Sequence, residues 1–187
     1  MTCITWIDVE TNGLDPRRNR LLEIACLVTD EDLNILDTDG YQAVVRHGLW
    51  GARRAYRKAI PYVQDMHTIT GLWDKLEDGK PLKQIDDELF SYIARFSPPG
   101  RSPVGGNSVR LDMNFMDRYL PKTAGHLDFH MRDVSTVGGL ARDWGYDLPR
   151  FEKYSDHTAM TDIRESIREL RHYREMIFRN PVPQLGE

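Results

Sequence analysis

Residues 3 to 9, CITWIDV, are apolar on both parities, which suits a strand covered on both faces, and the run ends in the turn-rich NGLDP at 12 to 16. A second run of this kind, LLEIACLVT at 21 to 29, is followed by polar DED, by NIL and by YQAVV at 41 to 45. Short turns between such runs favour an antiparallel meander. Further along, the pattern alternates. QIDDELFSYIARF at 84 to 96 predicts a helix with an apolar stripe of Ile85, Leu89, Phe90, Ile93 and Phe96. PVGGN at 103 to 107 predicts a short buried strand, and LDMNFMDRYL at 111 to 120 a helix through Leu111, Phe115, Met116 and Tyr119. The strand-like FHMRDVS then precedes a helix whose inward positions would be Val137, Leu140, Ala141 and Trp144. A last helix over about 158 to 177 carries Met160, Ile163, Ile167, Leu170 and Ile177. Strands first, then strand and helix in alternation, predict an α/β fold with a mixed β-sheet flanked by α-helices.

The length of 187 residues fits one domain over 1 to 178 with a frayed tail at 179 to 187. With 25 Lys plus Arg against 29 Asp plus Glu, a formal charge of -4 disfavours a chain that is basic throughout, so any nucleic-acid site must be local. Cys3 and Cys26 both lie in apolar runs and make neither a disulfide framework nor a zinc site; buried free thiols are expected. The opening MTCITWIDVE lacks the basic and apolar segments of a secretory signal, and no run approaches the roughly 18 apolar residues of a membrane span. The expectation is a cytoplasmic protein without a membrane partner.

Carboxylates carry the chemistry. Asp8 and Glu10 are two residues apart on a strand, so they point to one face about 6.6 to 6.8 Å apart along the axis and can reach one ion. Paired carboxylates closing an apolar strand are costly unless a cation neutralises them. The spacing alone is weak, because Asp86 and Glu88 repeat it inside an ordinary helix. Asp112 follows the tight GGNS stretch in the first turn of a helix, where the macrodipole alone would favour an acid. His157 and Asp162 lie five residues apart, about 140° around a helix, which puts the histidine on the loop before the helix and Asp162 in its first or second turn. Four carboxylates and a histidine are what two-metal phosphoryl chemistry requires: hard oxygen ligands select Mg²⁺ or Mn²⁺, and an imidazole can take a proton from the attacking water at neutral pH.

At these residues the sequence resembles the DEDDh 3'-to-5' exonucleases, and within them the oligoribonuclease family. IDVETNGLDP at 7 to 16, GNSVRLDMNF at 106 to 115 and HTAMTDIRESIRELRHYRE at 157 to 175 resemble the three exonuclease motifs; RLLEIACLVTDEDLNIL at 20 to 36 and DVST at 133 to 136 point to oligoribonucleases. The resemblance implies a ribonuclease H-like fold, two divalent cations (Mg²⁺ or Mn²⁺), a homodimer and hydrolysis of short single-stranded RNA to nucleoside 5'-monophosphates. Asp8, Glu10 and Asp162 would then hold the catalytic metal, Asp8 and Asp112 the second, with His157 as general base. Leu14 would wedge against the terminal bases, Asn107 and Ser108 would line the substrate channel, and His67 matches a family histidine near that channel, although a surface-loop histidine fits the sequence as well. A DNA-directed proofreading or repair exonuclease has the same five catalytic residues. A silent nucleic-acid-binding module would normally have lost a metal ligand, and none is missing here.

Some segments depart from the family. FHMR replaces its aromatic, Arg-containing stretch, VGGLARDW its basic helix, and RHGLWGARRAYRKAIPY at 46 to 62 an acidic or neutral stretch. These segments help cap the 5' end of the substrate in the family, so strict dinucleotide preference is not carried over. From 41 to 64 there is no acid, while Arg46, Arg53, Arg54, Arg57 and Lys58 gather among Trp50, Tyr56 and Tyr62. Such a segment could grip longer single strands or be a solvated helix face with its aromatics in the core. Glu23 in LLEIACL reads as a strand-edge polar residue or as one orienting a metal ligand, and Trp144 as core.

Overall fold

The alternation along the first strand decides how the chain is layered. The computed structural model describes residues 3–147, 151–152 and 158–178. Its strands are β1 (Cys3–Thr11), β2 (Leu21–Asp30), β3 (Tyr41–Val44), β4 (Val104–Gly106) and β5 (Met131–Asp133). Its helices are α1 (Gly48–Lys58), α2 (Pro61–Ile69), α3 (Leu72–Lys75), α4 (Leu82–Ala94), α5 (Arg110–Tyr119), α6 (Pro121–Ala124), α7 (Val134–Asp143) and α8 (Ala159–Ile177). One sheet runs β3-β2-β1-β4-β5. The first three strands form the antiparallel meander, while β4 and β5 add in parallel beyond β1. The expected α/β class with a mixed sheet is what the chain adopts.

Central β1 is buried from both sides. Cys3 and Ile7 join a core with Ile85, Leu89 and Ile93 of α4 and with Phe115 and Met116 of α5. Ile4 and Trp6, on the opposite parity, pack with Val134 of α7 and Ile163 and Ile167 of α8. Even-numbered β1 residues therefore face α8, and odd-numbered ones face α4 and α5. The strand continues past residue 9, because backbone pairing with β2 persists to an irregularity between Glu10 and Thr11 regardless of the side-chain charges.

Several expected positions differ. Trp144 is 69% exposed and Leu140 40% exposed, outside the core. Ala141 is buried and Val137 packs against the core as expected, and Val134 and Gly138 join them on the inner face; a Cβ on Gly138 would stand 2.5 Å from the Tyr173 hydroxyl, so only glycine permits this approach to α8. The aromatics Trp50, Tyr56 and Tyr62 are exposed as well, not buried in the core. The one buried side chain of α1 is the small Ala55, packed with Leu22, Leu72 and Leu76, so the larger side chains of α1 are left outside. The Asp86 of the second Asp-x-Glu pair is structural: it accepts from the Lys122 and Thr123 backbone N–H groups at the start of α6. Cys3 and Cys26 are buried free thiols, as expected.

Packing around β1 leaves little room at Gly105, where an added Cβ would meet the fully buried Trp6 ring at 2.8 Å. Gly105→Ala is expected to destabilise the protein by about 1–3 kcal/mol and lower its Tm by roughly 2–4 °C per kcal/mol, measured by calorimetry.

Candidate active site

Asp8 and Glu10 share the even parity of Trp6, so β1 aims both at α8, where Asp162 stands in the first turn. One carboxylate oxygen from each of Asp8, Glu10 and Asp162 lies within 4.8 Å of the other two. Asp112 arrives from the other side of the sheet. Strand β4 pairs with β1 only at Thr5 and Trp6, so the edge of β1 is open beyond them. There Asp112, in the first turn of α5, accepts from the Val9 N–H at 3.0 Å. Its charge is the strongest of the neighbouring acids acting on Asp8.

Burial and mutual repulsion govern these groups. Burial first, then the charges of Asp112, Glu10 and Asp162, raise the Asp8 carboxyl well above the usual carboxylate range. Glu10 is pushed up to about 8, by burial first and then by Asp162 and Glu23. Asp112 is raised by burial, against the N–H bond from Val9. Among the described residues, no lysine or arginine forms an ion pair with Asp8, Glu10 or Asp112. Buried acids facing one another without a cationic side chain make an all-oxygen donor set suited to a hard divalent cation.

Glu23 is not at a strand edge. It lies on the inner strand β2 directly opposite Glu10, 6% exposed, and accepts from the Gln42 side-chain amide at 3.0 Å. His67 is not a surface residue either: on α2, fully buried, its Nε2–H donates to the Thr11 carbonyl at 3.0 Å and lies 3.8 Å from Glu10. Burial holds its pKa below the ordinary histidine value, so the ring is neutral and its approach to Glu10 is not an ion pair.

A cavity of about 720 Å³ opens on this cluster, with Glu10, Leu14, Ile60, Tyr62 and Met66 in its lining together with Arg18 and Lys58. Leu14 is 75% exposed, on a loop whose shape is fixed by Asn12. The buried Asn12 side chain donates to the Ala55 carbonyl at 2.8 Å and accepts from the Arg20 N–H at 2.7 Å, tying this loop to α1. No local pattern marks Asn12, since its Ala55 partner lies 43 residues away, and of the two readings open for the aromatics around Tyr62 the exposed one holds. The Asn107 amide donates to Ser166 and Glu169 of α8, both at 2.9 Å. Ser108, exposed and with φ of 53°, is held through its N–H by Asp133 and Ser135, which gives the DVST segment a positioning role. His157 immediately precedes Thr158, the N-cap of α8, and lies outside the described residues, as do 179–187.

The exonuclease family model (RNase_T) matches residues 5–170. The oligoribonuclease of Streptomyces coelicolor is 40% identical over 187 residues, covering 98% of this chain and 89% of that protein. This chain belongs to the oligoribonuclease family. The human mitochondrial oligoribonuclease is 34% identical, over 97% of this chain and 76% of its own. The fold of this oligoribonuclease-family chain is that of Escherichia coli exonuclease I, solved with a dA16 oligonucleotide, at a TM-score of 0.70 and 16% identity over 96% of this chain. The exonuclease I of Methylocaldum szegediense gives a TM-score of 0.69 at 19% identity. This chain spans 42% and 41% of the lengths of those two proteins.

Raised carboxyl pKa values have a signed consequence for stability. Glu10 keeps its proton when folded up to about 8, while the unfolded chain loses it near the ordinary value of 4.5, so raising the pH through that window removes stability. In EDTA the Tm is expected to fall between about pH 5 and pH 8, and Glu10→Gln to flatten the fall by about 1–3 kcal/mol at the upper end. Added Mg²⁺ or Mn²⁺ should raise the wild-type Tm more at about pH 8 than at pH 5, measured by differential scanning fluorimetry.

Proposed function

We propose that this protein is a divalent-cation-dependent 3'-to-5' exoribonuclease that degrades short single-stranded RNA to nucleoside 5'-monophosphates. The observation carrying the reading is the convergence of Asp8, Glu10 and Asp162 beside an open cavity, in a chain 40% identical to an oligoribonuclease. These three carboxylates would hold one Mg²⁺ or Mn²⁺, and Asp8 with Asp112 a second. When bound, the two cations neutralise the buried acids and stabilise the charge on the attacking and leaving oxygens of the phosphodiester.

The chain itself positions the RNA and moves the proton. Leu14 and Tyr62, exposed and lining one cavity, offer apolar surfaces to the terminal bases. Arg18 and Lys58 in the same lining attract phosphate. Ser108 contacts the strand, as does the carbonyl of Asn107, whose amide nitrogen is engaged by α8. Neutral His67 holds the Thr11 carbonyl beside Glu10. His157, assigned as the base from its motif, accepts a proton from the water that attacks the last phosphodiester, and the bond to the 3'-oxygen of the preceding nucleotide breaks.

In the same reading, residues 1–178 form one exonuclease domain, and the protein works in the cytoplasm as a homodimer. Dimerisation is supported by the family resemblance and would cover Phe129, which is 84% exposed. Among the described residues no helix is long and apolar enough to cross a membrane.

Asp8→Asn and Asp162→Asn are each expected to lower hydrolysis of a two-nucleotide RNA by about a thousandfold or more without loss of fold by circular dichroism. His157→Ala should cost about 10²–10⁴-fold. EDTA should abolish activity and Mn²⁺ restore it. A ribo-oligonucleotide should be cleaved faster than its deoxyribo counterpart of equal length; the reverse order would mark a DNA-directed enzyme.

A further inference from the structure

Beside the catalytic cavity lies a groove that the reaction does not use. It encloses about 530 Å³ between Trp50, Arg53, Tyr56 and Arg57 of α1 and Trp73 of α3. Consecutive residues at the end of α1 line the two spaces, Arg57 this groove and Lys58 the catalytic cavity. Tyr56, Trp73 and His67 form an edge-to-face series, with centroids 5.4 and 5.3 Å apart, that leads from the groove to the histidine beside Glu10. The α1 end of the groove is anchored to the acid-bearing strand, because Asn12, two residues after Glu10, donates to the Ala55 carbonyl.

Its chemistry selects an occupant. Among the described residues Arg53, Arg54, Arg57 and Lys58 form no ion pair, although each is exposed on one short helix. Trp50 is 78% exposed, and the Arg53 guanidinium stands 5.8 Å from its ring centroid, so a flat aromatic face and a cation are presented together. An apolar protein surface docked here would have to desolvate these cations without compensation. A polyanion with flat rings instead releases counterions from its phosphates and stacks its bases. Asp74 and Glu77 stand among the lining residues outside α1, and they repel phosphate. A strand in the groove therefore keeps its phosphates toward Arg53 and Arg57 and away from Asp74 and Glu77, with bases against Trp50 and Tyr56.

The geometry points to an upstream substrate site: this groove binds the nucleotides 5' of the cleaved bond in single-stranded RNA whose 3' end lies at Asp8, Glu10 and Asp162. This rests on the exoribonuclease reading of the neighbouring cavity. It gives the enzyme a grip on strands longer than the catalytic cavity alone can hold.

The test is the double variant Trp50→Ala/Arg53→Ala, whose altered side chains are both exposed, with Tm as the check of folding. Its kcat/KM on a ten-nucleotide RNA is expected to fall about tenfold, while that on a two-nucleotide RNA changes by less than about twofold. An equal change on both substrates, or none on either, overturns the proposal. A binding measurement separates this site from catalysis: anisotropy of a fluorescein-labelled ten-nucleotide RNA in EDTA should show about tenfold weaker binding by the variant, with a shallower salt dependence. Equal binding by variant and wild type overturns the groove assignment whatever the activity. If neither substrate is hydrolysed by the wild type and binding still depends on Trp50 and Arg53, the RNA groove stands and the catalytic reading falls. A change of oligomeric state in sedimentation with RNA binding intact would give this face to a second copy of the chain, and would also overturn the proposal.

Discussion

The structure depends on a strand buried on both faces that carries two carboxylates on one of them. Burying Trp6 and Ile7 side by side fixes the register of β1, and a slip of one residue would turn Asp8 and Glu10 away from α8 into the opposite core. The same burial that holds the strand raises the Asp8 and Glu10 pKa values, since the acids sit where water is scarce and Glu23 faces Glu10 across the sheet. Stability and site are thus opposed while the acids face one another without a counter-charge. Hydrophobic packing of β1 sets the positions of the acids, and their ionisation works against folding until a counter-charge is bound.

The site is assembled from elements far apart in the chain by two different devices. Helix α8 reaches it by packing: Ile163 and Ile167 lie with Trp6 in one core, which leaves Asp162 beside the even-numbered acids of β1. Helix α5 reaches it through a gap in the sheet, where the shortness of β4 leaves the Val9 N–H for Asp112. Around the acids, polar ties hold the shape of the cavity: Asn12 to α1, His67 to Thr11, Ser108 to the start of α7. Each satisfies a buried or strained backbone group, so the preorganisation of the site and the satisfaction of the fold are the same hydrogen bonds.

The basic segment shows why residue type alone misplaces side chains. Its tryptophan and tyrosines look like core residues by hydrophobicity, yet Ala55 is the side of α1 that the core accepts, and Trp50 and Tyr56 are left outward beside arginines. Trp144 lies outside the core for the related reason that Gly138 draws α7 close to Tyr173 and leaves Leu140 and Trp144 facing outward. In both places a small residue, not the largest, marks the face that is inside, because helices approach most closely where side chains are short.

By itself the sequence determined the class of the fold and the identity of the acids. Period-two and period-3.6 patterns depend on local geometry, so β1, β2, α4 and α8 were legible, as was the shared direction of Asp8 and Glu10. Asp112, Asp162 and His157 were legible as candidates from their places at helix starts, and the family resemblance supplied the roles expected of them. Only the tertiary structure decided that Glu23 opposes Glu10 on an inner strand, that His67 is buried beside Glu10, that Tyr62 lines one cavity with Leu14, and that a cationic aromatic groove forms along α1. These are relations between residues remote in sequence. They follow from strand register, from which helix face the core accepts and from where a short strand ends, and no local pattern of residues encodes them.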